Sequence, residues 1–302
     1  MPIANVVLVG TGRAGTTSLF RHLVEHPSVC GSSRKETHYF DYARYGTPAP
    51  PLSEYMAYFD RHRSESIILE ASPGYFSDGR DVATEIARVL GEECRIVVTL
   101  REPISRLISY YTHAISQRQL KADESLESYV ERCRTGHSVR ESKMPSSHIF
   151  EGYYGGFYRD SLLEWFEVFG SRVRVVFFED IVANPLSCVQ TLATWMGIDP
   201  EFYDGRPLGR ENASHVVKNA SLQRLALWLN GVFEPAMSRS PHFARVVRNS
   251  YLSLNTRRPS GNVLDHRLRR ELVAEYRRGN LGLGSVLNEH GYTSLPEWIG
   301  LN

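Results

Sequence analysis

Cysteine is scarce: Cys30, Cys94, Cys133 and Cys188 lie far apart in 302 residues, and no two stand at metal-ligand spacing. That excludes a disulfide framework and a cysteine-based zinc site, and it reads as reduced, mostly buried thiols. Net charge is also nearly absent, since 35 Lys and Arg against 34 Asp and Glu leave +1. So weak a whole-molecule field gives no sign of a nucleic-acid or anionic-membrane partner, and any selectivity for an anion must be local. No apolar run reaches membrane-spanning length, and a first strand beginning at about Ile3 leaves no room for a signal peptide; a cytoplasmic protein is expected. Internal repeats, low-complexity tracts and linkers are missing too, so residues 1–302 are expected to bury their apolar content as one α/β domain.

What is present is concentrated near the N-terminus. The apolar, β-branched run Val6-Val7-Leu8-Val9 enters the Gly-rich turn Gly10-Thr11-Gly12-Arg13-Ala14-Gly15, followed by an amphipathic helix with Leu19, Phe20, Leu23 and Val24 on one face. This is the layout of a phosphate-binding loop, in which backbone N–H groups and a helix N-terminus face an anion, with Thr16, Thr17 and Ser18 adding hydroxyl donors. An NTPase of this spacing needs Lys followed by Ser or Thr where Thr16-Thr17 stands. The cation sits inside the loop instead, at Arg13, and no magnesium ligand is evident.

Strand, helix and strand signals alternate downstream, which predicts a parallel sheet with its ligands beyond the carboxyl ends of the strands. Strands are expected at 28–31, 66–69, 94–100 and 173–178, and helices at 53–62, 81–90, 120–134, 222–232 and 264–276. The helix over 120–134 reads as charged and solvated, and 135–147 as a polar loop. Ser32 to Asp41 gathers titratable groups beside aromatics and suits either a site lip or a polar surface loop. Glu70-Ala71-Ser72-Pro73-Gly74-Tyr75-Phe76 contains a Pro-Gly turn whose aromatics either wall a pocket or cap a core. Pro103 suits a first helical position, placing Arg101 at a strand-to-helix junction; with Ser105 and Ser109 one turn apart, it is a candidate for a second phosphate. Arg106 is expected to make a surface ion pair. Glu179 and Asp180 read as capping groups, and the basic segment 206–218 either closes over an anion or stays solvated.

Four motifs in this order, Gly10 to Ser18, Lys35-Glu36-Thr37-His38-Tyr39-Phe40, Glu70 to Phe76, and Leu100 to Tyr110, resemble the sulfotransferases that use 3′-phosphoadenosine 5′-phosphosulfate. The nearest similarity is to the heparan-sulfate type and its bacterial relatives. The resemblance implies an α/β domain whose central parallel sheet is flanked by helices, with a P-loop-like nucleotide loop after the first strand. By it, Gly12, Arg13, Ala14, Gly15, Thr16, Thr17 and Ser18 cradle the 5′-phosphosulfate, and Arg101 and Ser109 hold the 3′-phosphate. Glu36 falls at the catalytic-base position, with His38 beside it as the other candidate base. Tyr39, Tyr75, Phe76 and Tyr153 are candidate acceptor-stacking residues, and the acceptor is expected to be a glycan or a small hydroxylated molecule. No metal is expected.

Two departures from the family pattern matter. Arg13 replaces the usual Lys of the loop, a permanent cation that hydrogen-bonds a leaving phosphate but cannot act as a tunable acid. Ala71 stands where the heparan-sulfate enzymes carry a second Lys, so Lys35 is the candidate for the missing charge. Two rival readings remain at this level: a P-loop kinase of small metabolites, which leaves Arg101 and Ser109 unexplained, and a nucleotide-binding protein without catalysis, which Ala71 favours.

Overall fold

The computed structural model describes residues 2–136, 145–208 and 264–300, together with the two-residue strands 216–217 and 256–257. Five strands, β1 (Val6–Gly10), β2 (Val29–Gly31), β3 (Ile67–Ala71), β4 (Arg95–Leu100) and β5 (Val173–Phe177), form one parallel sheet in the order β2-β3-β1-β4-β5. In chain order the helices are α1 (Thr16–Leu23), α2 (Asp41–Tyr45), α3 (Leu52–Ala57), α4 (Gly79–Leu90), α5 (Pro103–Ser116), α6 (Leu126–Thr135), α7 (Glu151–Tyr154), α8 (Arg159–Phe169), α9 (Phe178–Ala183), α10 (Pro185–Met196), α11 (His266–Gly279), α12 (Leu283–Glu289) and α13 (Glu297–Gly300). The α/β class and the parallel sheet expected from the sequence are both present.

Strand alternation divides the core into two layers. Val7, Val9, Ile68, Ile96, Val98, Val173 and Val175 face α4 and α8, where they meet Ile86, Leu162, Trp165 and Phe169. Val6, Leu8, Ile67, Leu69 and Val97 face α1 and α10, meeting Leu19, Leu23, Leu192 and Met196. Every residue of β1 is buried, as befits the central strand of a sheet covered on both faces. A third cluster joins α5, α6, α7 and α11 through Leu107, Tyr129, Tyr153 and Leu272.

Some local expectations are corrected by packing. The helix expected over 120–134 starts only at Leu126, because Ser125 caps it by accepting from the Ser128 N–H. It is not solvated all round, since Leu126, Tyr129, Val130 and Cys133 are buried in the third cluster. The helix expected over 53–62 ends at Ala57. The loop over 135–147 and the basic segment 206–218 fall mostly outside the described residues, and the expected helix 222–232 falls there entirely.

The chain runs outward from β1 to β2, returns to β3, then crosses to β4 and β5, so the order reverses beside β1. A crevice at the carboxyl ends of the strands follows from that reversal. Pairing of β1 with β4 slips one residue between Leu8 and Gly10, and the Thr11 N–H then donates to the Thr99 carbonyl at 2.6 Å. The loop is thereby turned into the crevice.

Candidate active site

Two glycines shape the loop after β1. A Cβ on Gly10 would come within 2.5 Å of the Phe76 Cβ and 2.7 Å of the Pro73 carbonyl, so only glycine lets the loop pass under the β3 turn. Gly15 caps α1 at φ 86°, a left-handed conformation that glycine adopts without penalty. The first turn of α1 therefore opens toward a cleft of ≈ 550 Å³ lined by Gly12, Arg13, Gly15, Thr16, Thr17 and Ser18. Ala14 is fully buried beneath the loop and does not line the cleft.

Three arginines converge on this end. Arg13 Nε donates to Ser109 Oγ at 3.2 Å, and Arg101 Nη1 donates to the Arg13 carbonyl at 3.0 Å while its guanidinium lies 4.2 Å from the Phe178 ring centre. Arg106, only 2 % exposed, donates to the Gly12 carbonyl at 3.1 Å and the Gly152 carbonyl at 3.1 Å. It is a buried tie, not the surface ion pair expected. Burial, then the neighbouring charge of Arg101, pushes the Arg13 guanidinium below its usual value. Crowded like charge of this kind is relieved by an anion. Arg101 Nε is buried with no acceptor among the described residues, which leaves a donor for such a ligand.

The same cleft carries titratable groups. Glu36 and His38 both line the cleft, and both adopt left-handed backbone, φ 64° and 56°, as does Arg13 at 69°. Such conformations are strained for residues other than glycine and collect at functional sites. Lys35 Nζ lies 2.5 Å from Glu36 Oε1 and pairs with its carboxylate. Burial pushes the Glu36 carboxyl up, but Lys35, then His38 and His113, outweigh it and hold the group below the ordinary carboxylate range. His38 Nδ1 lies 3.2 Å from Asp41 Oδ2, and this bond, against the cost of burial, raises the imidazole. His113 is pushed down to about 4 by burial and by Arg13, so it faces the cleft uncharged at neutral pH.

The candidate acceptor aromatics do not reach the cleft. Tyr75 and Phe76 sit wholly in the core between β3 and α8. The Tyr39 hydroxyl donates to the Pro50 carbonyl while its ring packs on Phe40 and Tyr55. Tyr153 is buried against Tyr276, its hydroxyl bound to Glu275. Sparse polar surface on these rings lets the core claim them, and the Pro73-Gly74 turn alone meets the cleft. Ser105 is likewise absent from the lining; its N–H donates to Glu102, which caps α5.

A sulfotransferase domain model matches residues 4–226, from before β1 to past the last strand of the sheet. The chain belongs to the sulfotransferase domain family. It is 25 % identical over 202 residues to the membrane-associated sulfotransferase kil1 of Dictyostelium discoideum, covering 60 % of this chain and 42 % of that protein. It is 24 % identical over 213 residues to heparan sulfate glucosamine 3-O-sulfotransferase 3B1 of Mus musculus, covering 68 % of this chain and 50 % of that one. The chain thus spans about half the length of the curated relatives it matches. A sulfotransferase from Alicyclobacillus acidocaldarius shares the fold, with a TM-score of 0.60, 23 % identity, and coverage of 79 % of this chain and 94 % of that one.

The cleft brings Ser109, expected there, together with Arg106, expected at the surface, and with Tyr110 and His113, which carried no expected role. Arg106, Ser109, Tyr110 and His113 recur at intervals of three and four, which puts them on one face of α5. That periodicity, not the Ser105 to Ser109 spacing, was the signal. His148 and Glu151, beyond the loop, complete this wall and carry no local motif. No helix among the described residues is long and apolar enough to cross a membrane, and they hold no group of three potential metal ligands.

Proposed function

We propose that the protein transfers a sulfuryl group from 3′-phosphoadenosine 5′-phosphosulfate to a hydroxyl or amine of a carbohydrate or small-molecule acceptor. One observation carries this reading: Arg13 and Arg101 meet at the mouth of the same cleft that holds Glu36. A single nucleotide with phosphates at both ends is then gripped by two elements far apart in sequence. Gly12, Arg13, Gly15, Thr16, Thr17 and Ser18 hold the 5′ end, with Ala14 packing the loop from below, and Arg101 and Ser109 hold the 3′-phosphate.

The nucleotide supplies an activated sulfate whose bridging oxygen takes on charge as the bond breaks. Arg13 and the α1 N-terminus face that charge with fixed donors, so positioning and electrostatics carry most of the rate. Glu36, ionised at neutral pH, takes the acceptor proton. Lys35 holds the Glu36 carboxylate and replaces the cation that Ala71 lacks, and His38, oriented by Asp41, is the nearest second proton carrier. Four free thiols, Cys30, Cys94 and Cys133 buried and Cys188 partly so, support a reducing compartment, the cytoplasm.

A thermal-shift comparison tests the reading. Adenosine 3′,5′-bisphosphate should raise the melting temperature with no metal present, and ATP with magnesium should not. The reverse result would install the kinase reading, and binding without turnover over a broad acceptor panel would leave a nucleotide-binding protein.

A further inference from the structure

Glu70, near the end of β3, has no exposed surface. Its Oε1 accepts from Thr37 Oγ1 at 2.6 Å, Ser72 Oγ at 2.8 Å and the Tyr75 hydroxyl at 3.0 Å, and its Oε2 from the Tyr55 hydroxyl at 2.7 Å. Four hydroxyls are its partners where a buried carboxylate usually keeps a cation. Burial pushes the carboxyl up, and the four donors reverse that only in part. A group so expensive to bury, in a layer otherwise built of Tyr39, Phe40, Tyr55 and Phe76, calls for a reason other than packing.

The reason lies in what the same hydroxyls hold on their other side. Ser72 Oγ accepts from the His38 N–H at 3.3 Å, the Tyr75 hydroxyl from the Phe40 N–H at 3.1 Å, and Thr37 Oγ1 from the Tyr39 N–H at 3.3 Å. The Glu36 N–H donates to the Ala71 carbonyl, next to Glu70, at 2.8 Å. The segment from Glu36 to Phe40 is therefore pinned at every residue to the end of β3 or to a hydroxyl bound there. Thr37, the residue bonded directly to Glu70, stands between the two left-handed residues Glu36 and His38. A single Lys partner would satisfy the charge along one direction; four hydroxyls converging from the Glu36 loop, α3 and the turn after β3 fix the segment in space.

We propose that Glu70 is a positioning residue for the transfer step: through Thr37, Ser72 and Tyr75 it holds the 36–38 backbone in the conformation that presents the Glu36 carboxylate to the cleft. Glu70 does not line the cleft. The inference rests on Glu36 being the base, and the hydrogen bonds of the four hydroxyls around Glu70 run to Glu70 and the 37–40 segment and not to residues 12–18.

The test uses Glu70→Gln and Thr37→Val in the full chain, with Thr37→Ser as the conservative rescue. Turnover should fall about tenfold to a hundredfold, the cost of a slightly misplaced catalytic group. The donor KM and the dissociation constant for adenosine 3′,5′-bisphosphate should stay within about twofold, and Thr37→Ser should restore turnover. In a Glu36→Gln background the Glu70→Gln change should add almost nothing, the non-additivity of residues acting through one another. Equal losses in both backgrounds, or nucleotide binding that weakens in step, would overturn the proposal. A second readout does not need activity: the Glu36 carboxyl, followed by carbon NMR, should titrate at higher pH in Glu70→Gln and Thr37→Val as its contact with Lys35 loosens. Loss of a negative charge alone would move it the other way, so a shift downward or none at all also defeats the proposal. Should the wild-type chain neither turn over nor bind the bisphosphate, the sulfuryl-transfer reading falls, and this titration still decides whether Glu70 sets the Glu36 segment. Thr37→Val serves equally if Glu70→Gln does not fold.

Discussion

At one end of the cleft, Arg101 and Arg106 hold permanent charge against backbone carbonyls and Arg13 against the Ser109 hydroxyl, each tied to an element distant in sequence. At the other, Glu36 and His38 are groups whose charge depends on pH and on one another. The first arrangement suits a ligand whose phosphates are the same in every turnover. The second suits an event in which a proton changes place. A cleft built this way separates grip from chemistry, and substitutions should separate them as well.

The largest expected effect is at the chemical end. Glu36→Gln should lower turnover roughly a hundredfold or more, within the range of a general base, while calorimetric binding of adenosine 3′,5′-bisphosphate is kept. A parallel loss of binding would merge the two ends. At the gripping end, Arg101→Met should weaken the bisphosphate by about tenfold to a hundredfold, the worth of a charged hydrogen bond, with turnover at saturating nucleotide much less affected. Lys35→Ala sharpens the contrast through pH. Glu36 acts ionised, and its lowered pKa keeps the base form present below the ordinary carboxylate range, so activity should fall only as pH drops through that low value. Removing Lys35 should move this acid limb of the rate profile upward, and an unmoved limb would assign the base elsewhere, His38 first. The smallest effect concerns the scaffold. Thr99 Oγ1 donates to the Gly10 carbonyl at 2.8 Å, and Thr99→Val should cost about 1 kcal/mol in a denaturant titration with little change in either function.

How readily each end was legible in the sequence follows the same division. The gripping end is written locally: an apolar strand, three glycines and a helix start lie within Val6 to Leu19, and Arg101 with Ser109 lie within one strand-to-helix turn and the helix after it. The sheet was legible for the same reason, because strands buried on both faces read as continuous apolar runs. Arg106 was misread since an arginine on a helix is usually solvated, and its burial depends on the Gly12 and Gly152 carbonyls, neither of which its neighbours in sequence announce. Tyr39, Tyr75, Phe76 and Tyr153 carry no mark that distinguishes a pocket wall from a core. His148 and Glu151 enter the cleft only by tertiary packing, and helix boundaries such as Ser125 before α6 turned on a single capping bond.

The strand order also bears on how a ribosome must deliver this chain. β1 is made first yet occupies the middle of the sheet, and one of its two neighbours, β4, leaves the exit tunnel only after α1, β2, β3 and α4 have all emerged. Until then Val6 to Gly10 presents a bare, wholly apolar edge, the kind of surface on which nascent chains stick to one another. The Gly10 to Gly15 loop hangs from that same strand, so it cannot take its final shape before β4 is free to close against it.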